Sequence, residues 1–123
     1  MEIQFTNREL DVMAVLWNLE SATVAEVRER LADELAYTTV LTILRTLEEK
    51  GHVGHTQEGK AYRYHPAVAR ESAGASAVRR LVGKMFSGSP ELLLTHLVSD
   101  RDLSTEDLER MRQLLDERLE RKE

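Results

Sequence analysis

The spacing of hydrophobic positions predicts two short α-helices in the first third of the chain. The first helix begins at Thr6, whose hydroxyl can cap it together with Glu9 three residues later, and it runs to about Asn18. The same capping pattern begins a second helix over about residues 23–33. The predicted inner face of the first helix consists of Leu10, Met13, Ala14 and Trp17, widened by Val12 and Leu16.

A third helix and a change of period follow. The third helix turns its apolar residues to one side and ends at Gly51, a residue type that adopts the left-handed conformation common at helix ends. Alternation with a period of two then predicts strands at residues 52–56 and 61–65, joined by a turn that contains glycine. Three helices followed by a hairpin form the layout of a winged helix-turn-helix, which we predict for residues 1–67.

The hydrophobic pattern of residues 68–123 predicts helices and no strands. The helical pattern begins at Ala69, breaks at residues 87–90, where Ser89 can cap a new helix, and resumes in a last helix capped by Ser104. These helices carry more leucine than a short segment can bury against itself, which is typical of an interface. We therefore predict a mostly α-helical protein with a small β-hairpin wing and a C-terminal helical dimerisation domain. The predicted dimerisation residues are Leu92, Leu93, Leu97, Leu108, Met111, Leu115 and Leu119.

Four threonines and one arginine occupy the side of the third helix that lies outside its apolar stripe. Threonine disfavours exposed helical positions, so four of them within residues 38–46 go against local propensity, as functional residues often do. Hydroxyls and guanidinium groups bond phosphate oxygens and base edges, which favours DNA binding over a merely solvated face. The predicted DNA-binding residues are Tyr37, Thr38, Thr39, Thr42, Arg45 and Thr46 on the helix and Lys60 and Arg63 on the hairpin.

Composition narrows the range of functions. The chain of 123 residues has a net charge of −5, and residues 1–65 carry seven basic and eleven acidic side chains. A DNA contact must therefore depend on a small local group of cations. The chain has no cysteine and its four histidines lack zinc-binding spacing, so we predict no metal and no cofactor. It contains no catalytic motif, and we predict that it is not an enzyme.

The hydrophobic runs are short. None approaches the ~20 residues needed to cross a bilayer, and the first residues lack the basic and apolar regions of a signal peptide. We therefore expect no membrane partner and a cytoplasmic location.

Several segments of the chain together have a familiar pattern: residues 7–17, 23–27, 36–44 and 47–51, with residues 62–64 in the hairpin and 102–104 before the last helix. In these segments the chain resembles the penicillinase (β-lactamase) repressor family, which includes methicillin-resistance and copper-responsive repressors. The resemblance implies a winged helix followed by a helical dimerisation domain. It also implies a homodimer on a double-stranded DNA operator, an inverted repeat of the TACA/TGTA type, with repression relieved by an upstream signal.

Two departures from the family leave the inducing signal open. Members that respond to β-lactams are cleaved at an Asn-Phe bond after a membrane sensor is activated, and the matching positions here are His96 and Leu97. Copper-responsive members carry a cysteine-rich tail, which a chain without cysteine lacks. The sequence does not identify the target genes or a sensor or peptidase partner. Two alternatives are a ligand-responsive regulator of the MarR or PadR type and a winged-helix interaction module that does not bind DNA.

Overall fold

The computed structural model describes residues 3–121, which form six helices and three short strands. In chain order these elements are α1 (Asn7–Leu19), β1 (Ala22–Thr23), α2 (Val24–Arg30), α3 (Tyr37–Glu49), β2 (Val53–Glu58), β3 (Ala61–Pro66), α4 (Arg70–Met85), α5 (Pro90–Val98) and α6 (Thr105–Arg121). The strands form one antiparallel sheet in the order β1-β3-β2. This arrangement confirms the predicted fold, which is mostly helical with a small hairpin wing.

One hydrophobic core lies between α1, α2, α3 and the sheet. Helix α3 contributes Val40, Leu44 and Leu47, which are fully buried at helical spacing, and β3 contributes the buried ring of Tyr64. Because the core fixes one side of α3, the opposite side of the helix faces outward. The other core residues are Val12, Met13, Val15, Leu16, Ala22, Val24, Val27 and Val53.

The helix caps predicted from the sequence are confirmed. At the start of α1 the Thr6 hydroxyl accepts a hydrogen bond from the Glu9 backbone N–H, and the Glu9 carboxylate accepts one from the Thr6 N–H. The end of α3 is followed by Gly51 with φ +83°, as expected of a glycine at this position. The other predicted caps are made by Thr23 with Glu26, by Ser89 with the N–H of Leu92, and by Ser104 with Asp107.

Some predicted boundaries are wrong. Helix α2 ends at Arg30 rather than near residue 33, because Leu31 adopts an extended backbone with ψ 140°. Strand β1 is not predicted at all, since two residues are too few to show an alternating pattern. The hairpin strands extend to a two-residue turn at Gly59 and Lys60, where Gly59 has φ +64°. The wing is therefore longer and tighter than the sequence suggested.

The buried face of α1 also differs from the prediction. Leu10 is 42% exposed and Ala14 is exposed, whereas Val15, which the predicted face left out, is buried. Phe5 packs edge-on against Trp17 at 6.2 Å between ring centroids, so both rings cover one margin of the core. Apolar residues occupy a wide arc of this helix, and spacing alone does not decide which part of the arc is buried.

The described chain divides into two units, the first ending at Val78 and the second beginning at Arg79. The first unit holds the winged helix and the first turns of α4. Two hydrogen bonds fix the chain as it enters α4: Trp17 Nε1 donates to the carbonyl of Val68 at 2.9 Å, and Arg70 donates to the Asn18 side chain at 2.8 Å.

The second unit contains few buried residues. Val82, which is 9% exposed, is the one buried residue from 79 to 121, and neither α5 nor α6 has any buried position. Phe86 packs against the ring of His96 at 5.2 Å between centroids. The division into a DNA-binding part at 1–67 and a dimerisation part at 68–123 concerns function, and it stays a prediction.

A buried carboxylate joins the start of α1 to the end of α3. Glu9 is 4% exposed, and its two oxygens accept hydrogen bonds from Lys50 Nζ at 2.9 and 2.8 Å. Burial raises the pKa of the Glu9 carboxyl, but hydrogen bonds from Lys50 and Thr6 and the charge of Lys50 bring it below its ordinary value. The ionised carboxylate therefore anchors the C-terminal end of α3.

Lys50→Ala is expected to destabilise the protein by about 1–2 kcal/mol, because it removes the charged partner of a buried carboxylate, and the effect is limited because the Lys50 side chain is itself 40% exposed. Urea denaturation followed by circular dichroism measures this change. Arg8→Ala, which breaks an exposed ion pair with Asp33 at 2.6 Å, is the control. It should change stability by only about a few tenths of a kcal/mol, and equal losses in both variants would contradict the anchoring role.

The Glu9 contribution is also expected to depend on pH. The pKa of Glu9 is lower in the folded protein than its ordinary value of 4.5, so its stabilising effect is complete above that value. The effect is lost as the pH falls through the folded pKa. Glu9→Gln should therefore be less stable than the parent protein at pH 7, and the difference should shrink in acid. Urea midpoints measured between pH 7 and pH 3 test this, and a difference that stays constant would refute it.

Candidate nucleic-acid interface

The outward side of α3 carries the predicted threonine and arginine residues. Thr38, Thr39, Thr42 and Arg45 are exposed, and Thr46 is half-buried at the margin of the core. The structure therefore brings these residues together on one surface of one helix, as the sequence predicted.

Two threonine hydroxyls of this surface are bonded to the helix itself. Thr42 Oγ1 donates to the carbonyl of Thr38 at 2.9 Å, and Thr46 Oγ1 donates to the carbonyl of Thr42 at 3.0 Å. This bond to the preceding turn uses the hydroxyl proton and leaves the oxygen lone pairs and the methyl group for other partners. In this state the threonines are suited to accept hydrogen bonds and to make apolar contacts.

Tyr37 stands at the N-terminal end of the same surface. Its side chain is 47% exposed and borders an open cleft of about 240 Å³ with residues of α2 and of the loop before α3. Arg28 closes one side of this cleft by donating from Nε to the carbonyl of Leu35 at 2.7 Å. The Tyr37 hydroxyl is thus positioned at the surface, where the sequence predicted it.

Three cations were predicted to contribute to the site, and the structure gives them different environments. Arg45 on α3 and Lys60 at the tip of the hairpin are exposed, and within residues 3–121 neither has an ion pair. Arg63 is only 27% exposed and is bonded to two carboxylates, Glu58 at 2.8 Å and Glu26 at 3.1 Å. The sequence did not predict these two partners.

The ion pairs of Arg63 change the protonation behaviour of their members. A hydrogen bond from Arg63 and its charge lower the pKa of Glu58. The pKa of Glu26 is lowered first by the backbone N–H of Thr23 and then by the charge of Arg63. The hydrogen bond to Glu58 raises the pKa of the Arg63 guanidinium. All three groups are therefore ionised at neutral pH, and the cluster carries one net negative charge.

A histidine that the sequence analysis gave no role joins the wing to α3. His55 Nδ1 lies 2.8 and 2.7 Å from the two carboxylate oxygens of Glu48, and its ring packs on Tyr62 at 4.4 Å between centroids. Beneath it, burial raises the pKa of Tyr64. Glu48 and His55 are only seven positions apart, but the turn at Gly51 separates α3 from β2, and the spacing of the two residues alone does not show that their side chains meet.

The neighbouring histidine has different partners. His52 packs against Phe5 at 4.9 Å between ring centroids, so the pair His52-x-x-His55 does not converge on one point. Among residues 3–121 no three histidine, aspartate or glutamate side chains come together as a metal ion would require. None of the described helices combines the length and apolar character needed to cross a membrane.

Comparison with known proteins shows a match to one family along most of the chain. The sequence profile of the family described as Penicillinase repressor matches residues 5–117. The chain is 26% identical over 121 residues to the penicillinase repressor of Bacillus licheniformis, covering 97% of this chain and 94% of that protein. It is 38% identical over 94 residues to the transcriptional regulator BlaI of Mycobacterium tuberculosis, covering 73% of this chain and 68% of that protein.

A solved structure agrees with these relatives. The monomeric form of Bacillus licheniformis BlaI in complex with the blaP half-operator superposes with a TM-score of 0.50 and 30% sequence identity. The match covers 58% of this chain and 89% of that one. Together with the winged-helix fold, these similarities show that the chain belongs to the penicillinase repressor family, whose named members are transcriptional repressors rather than enzymes.

Proposed function

We propose that this protein is a homodimeric repressor that binds an inverted-repeat operator in double-stranded DNA, with α3 in the major groove and the wing beside it. Family membership supports this proposal, because a relative of the same fold was solved with a half-operator. The observation that carries it is the exposed threonine and arginine surface of α3. The proposed DNA-binding residues on α3 are Tyr37, Thr38, Thr39, Thr42, Arg45 and Thr46.

The dimensions of α3 suit this role. A helix of 13 residues is about 20 Å long, and a B-DNA major groove about 12 Å wide admits a helix with its side chains. The threonine oxygens can accept hydrogen bonds from amino groups on base edges, and their methyl groups can contact thymine methyls. Arg45 has free donors for a guanine edge or a phosphate.

The wing is proposed to contact the DNA backbone beside the groove. Lys60 lies at the tip of the hairpin and has the free ammonium group that a phosphate contact requires. Arg63, which the sequence also predicts at this contact, is engaged with Glu26 and Glu58. Phosphate contacts of this kind position the protein on DNA and do not distinguish sequences.

A second copy of the chain is the proposed cover for the leucines of α5 and α6. Leu92, Leu97 and Leu115 are each about half exposed, and Leu119 is 73% exposed. Large apolar side chains exposed in this number are typical of an interface. The proposed dimer residues are Leu92, Leu93, Leu97, Leu108, Met111, Leu115 and Leu119.

Dimerisation also compensates for the small number of cations at each DNA-binding surface. Two linked subunits that each bind a half-site add their free energies through a high effective concentration. Because the operator lies in the cell's DNA, we infer that the protein acts in the cytoplasm. Neither alternative from the sequence analysis, ligand-responsive regulator or interaction module, has comparable support from family membership.

Thr42→Ala and Arg45→Ala are each expected to weaken operator binding by about 1–3 kcal/mol, because each removes a base or phosphate contact. Neither residue belongs to the core, so the circular dichroism spectrum should not change. Fluorescence anisotropy with a labelled TACA/TGTA inverted repeat measures the affinity. Thr95→Ala is the control, because Thr95 makes the same hydroxyl bond to a preceding carbonyl but lies in α5. Unchanged affinity in both test variants would place the DNA-binding surface elsewhere.

Leu115→Asp is expected to convert the protein to a monomer, because a carboxylate cannot be buried in an apolar interface without a partner. Sedimentation at micromolar concentration measures the mass, and binding to the complete repeat should fall much more than binding to a half-site. Gln113→Asp introduces the same charge two positions away, on the other side of α6, and should leave the dimer intact. A parent protein that sediments as a monomer would overturn the proposed assembly.

A further inference from the structure

We propose that Arg63 is a positioning residue that holds the wing against α2, and that Lys60 alone makes the wing's contact with phosphate. The inference rests on the proposed function, since it assigns roles within the same DNA-binding surface. It replaces the expectation that both wing cations contact the DNA backbone.

The guanidinium group of Arg63 donates hydrogen bonds to carboxylates on two sides. Nε and Nη2 donate to the two oxygens of Glu58 at 2.8 and 3.3 Å, which ties the group to the strand across the hairpin. Nη1 donates to Glu26 Oε1 at 3.1 Å. The same Glu26 oxygen accepts the backbone N–H of Thr23 at 2.9 Å, as part of the cap of α2. Arg63 therefore connects β2, β3 and the first turn of α2.

This connection reinforces a short sheet edge. Strands β1 and β3 pair through only two positions, Ala22 opposite Tyr64 and Thr23 opposite Arg63. So short a pairing is weak in isolation. The Arg63 side chain adds three hydrogen bonds to charged acceptors next to this pairing. The position of the hairpin relative to α2 thus depends on Arg63.

The opposite face of the hairpin is linked to α3. Residues directly opposite each other in antiparallel strands share a face, so Thr56 and Arg63 lie on one face and His55 and Tyr64 on the other. The His55–Glu48 bond ties that second face to α3. The hairpin is therefore held from both faces, and the position of Lys60 at its tip is fixed by both links.

The charges around Lys60 and Arg63 explain why only Lys60 is proposed to contact phosphate. A phosphate that approached Arg63 would also approach Glu26 and Glu58, and the three side chains together carry one net negative charge. Lys60 has no acidic partner within residues 3–121 and lies at the exposed turn. A phosphate is therefore attracted to Lys60 and not to the cluster around Arg63.

The first test measures operator affinity against salt concentration for four variants: K60Q, R63Q, R63K and the double variant K60Q/R63Q. Each phosphate contact contributes about 0.9 to the slope of log affinity against log salt. K60Q should lower the slope by about one unit. Adding R63Q to K60Q should lower it no further, because Arg63 acts through the position of Lys60. A combined loss of about two units would overturn the proposal and leave the proposed function intact.

The R63K variant distinguishes a phosphate contact, which needs only a positive charge, from a positioning role, which needs the hydrogen bonds to Glu26 and Glu58. A lysine keeps the positive charge that a phosphate contact needs, but it cannot provide three donors in the fixed fork that spans two carboxylates. We expect R63K to weaken binding as much as R63Q, to within about twofold. Full rescue by lysine would show that Arg63 contacts phosphate. If the parent protein shows no operator binding at all, both the proposed function and this proposal fail.

The second test does not involve DNA. Amide hydrogen exchange in the free, full-length protein should be faster at Ala22 and Thr23 for R63Q, because the β1–β3 pairing and the Glu26 oxygen that accepts the Thr23 N–H both lose the support of Arg63. K60Q is the matched control, since it removes a cation from the same hairpin and leaves the hydrogen bonds of Arg63 in place. Its exchange should equal that of the parent protein. Equal exchange in R63Q and K60Q would overturn the positioning role.

Discussion

The third helix must satisfy two opposing demands, and the winged helix is arranged around them. Its outer side holds four threonines, each of which costs roughly 0.5 kcal/mol relative to alanine in a helix. Its inner side buries Val40, Leu44 and Leu47, and full burial of such side chains contributes about 1.5–3 kcal/mol each. Burial therefore outweighs the cost of the threonines. Because the inner side supplies the stability, the residues of the outer side can be ones that suit binding even where they disfavour the helix.

Hydrophobic burial alone does not fix the position of α3, because it has no direction. Polar links at defined points provide the direction. Lys50 at the end of α3 is bonded to buried Glu9 at the start of α1, and Glu48, two residues before Lys50, is bonded to His55 of the wing. These pairs are few, and each connects two elements that also meet in the core. The core supplies most of the free energy, and these polar links select one arrangement among several that would bury similar area.

The sequence predicted those features whose signals are local. A capping box needs only two residues three positions apart, and Thr6 with Glu9 could be recognised without knowing the fold. Gly51 and the threonine side of α3 were found in the same way. Signals that depend on distant partners could not be found: Arg63 and Glu26 are 37 positions apart, and nothing in the local pattern around either residue indicates the other. The buried arc of α1 was missed for a related reason, since the neighbours that cover the helix decide which apolar residues are inside.

The net charge of −5 is a poor guide to the proposed DNA contact, because four acidic residues on or near α3 are bonded to basic or histidine side chains of the same chain. Glu9, Glu26, Glu48 and Glu58 are engaged with Lys50, Arg63 or His55. Pairing shortens the range of their fields, and the remaining distant charges are screened over about 8–10 Å at moderate salt. A phosphate at the proposed surface is then attracted by Arg45 and Lys60, while the exposed Glu49, four residues after Arg45 on α3, opposes that attraction. So few contacts give a subunit a shallow dependence on salt and a modest affinity, which is why the exposed leucines of α5 and α6 matter for DNA binding although they lie outside the winged helix.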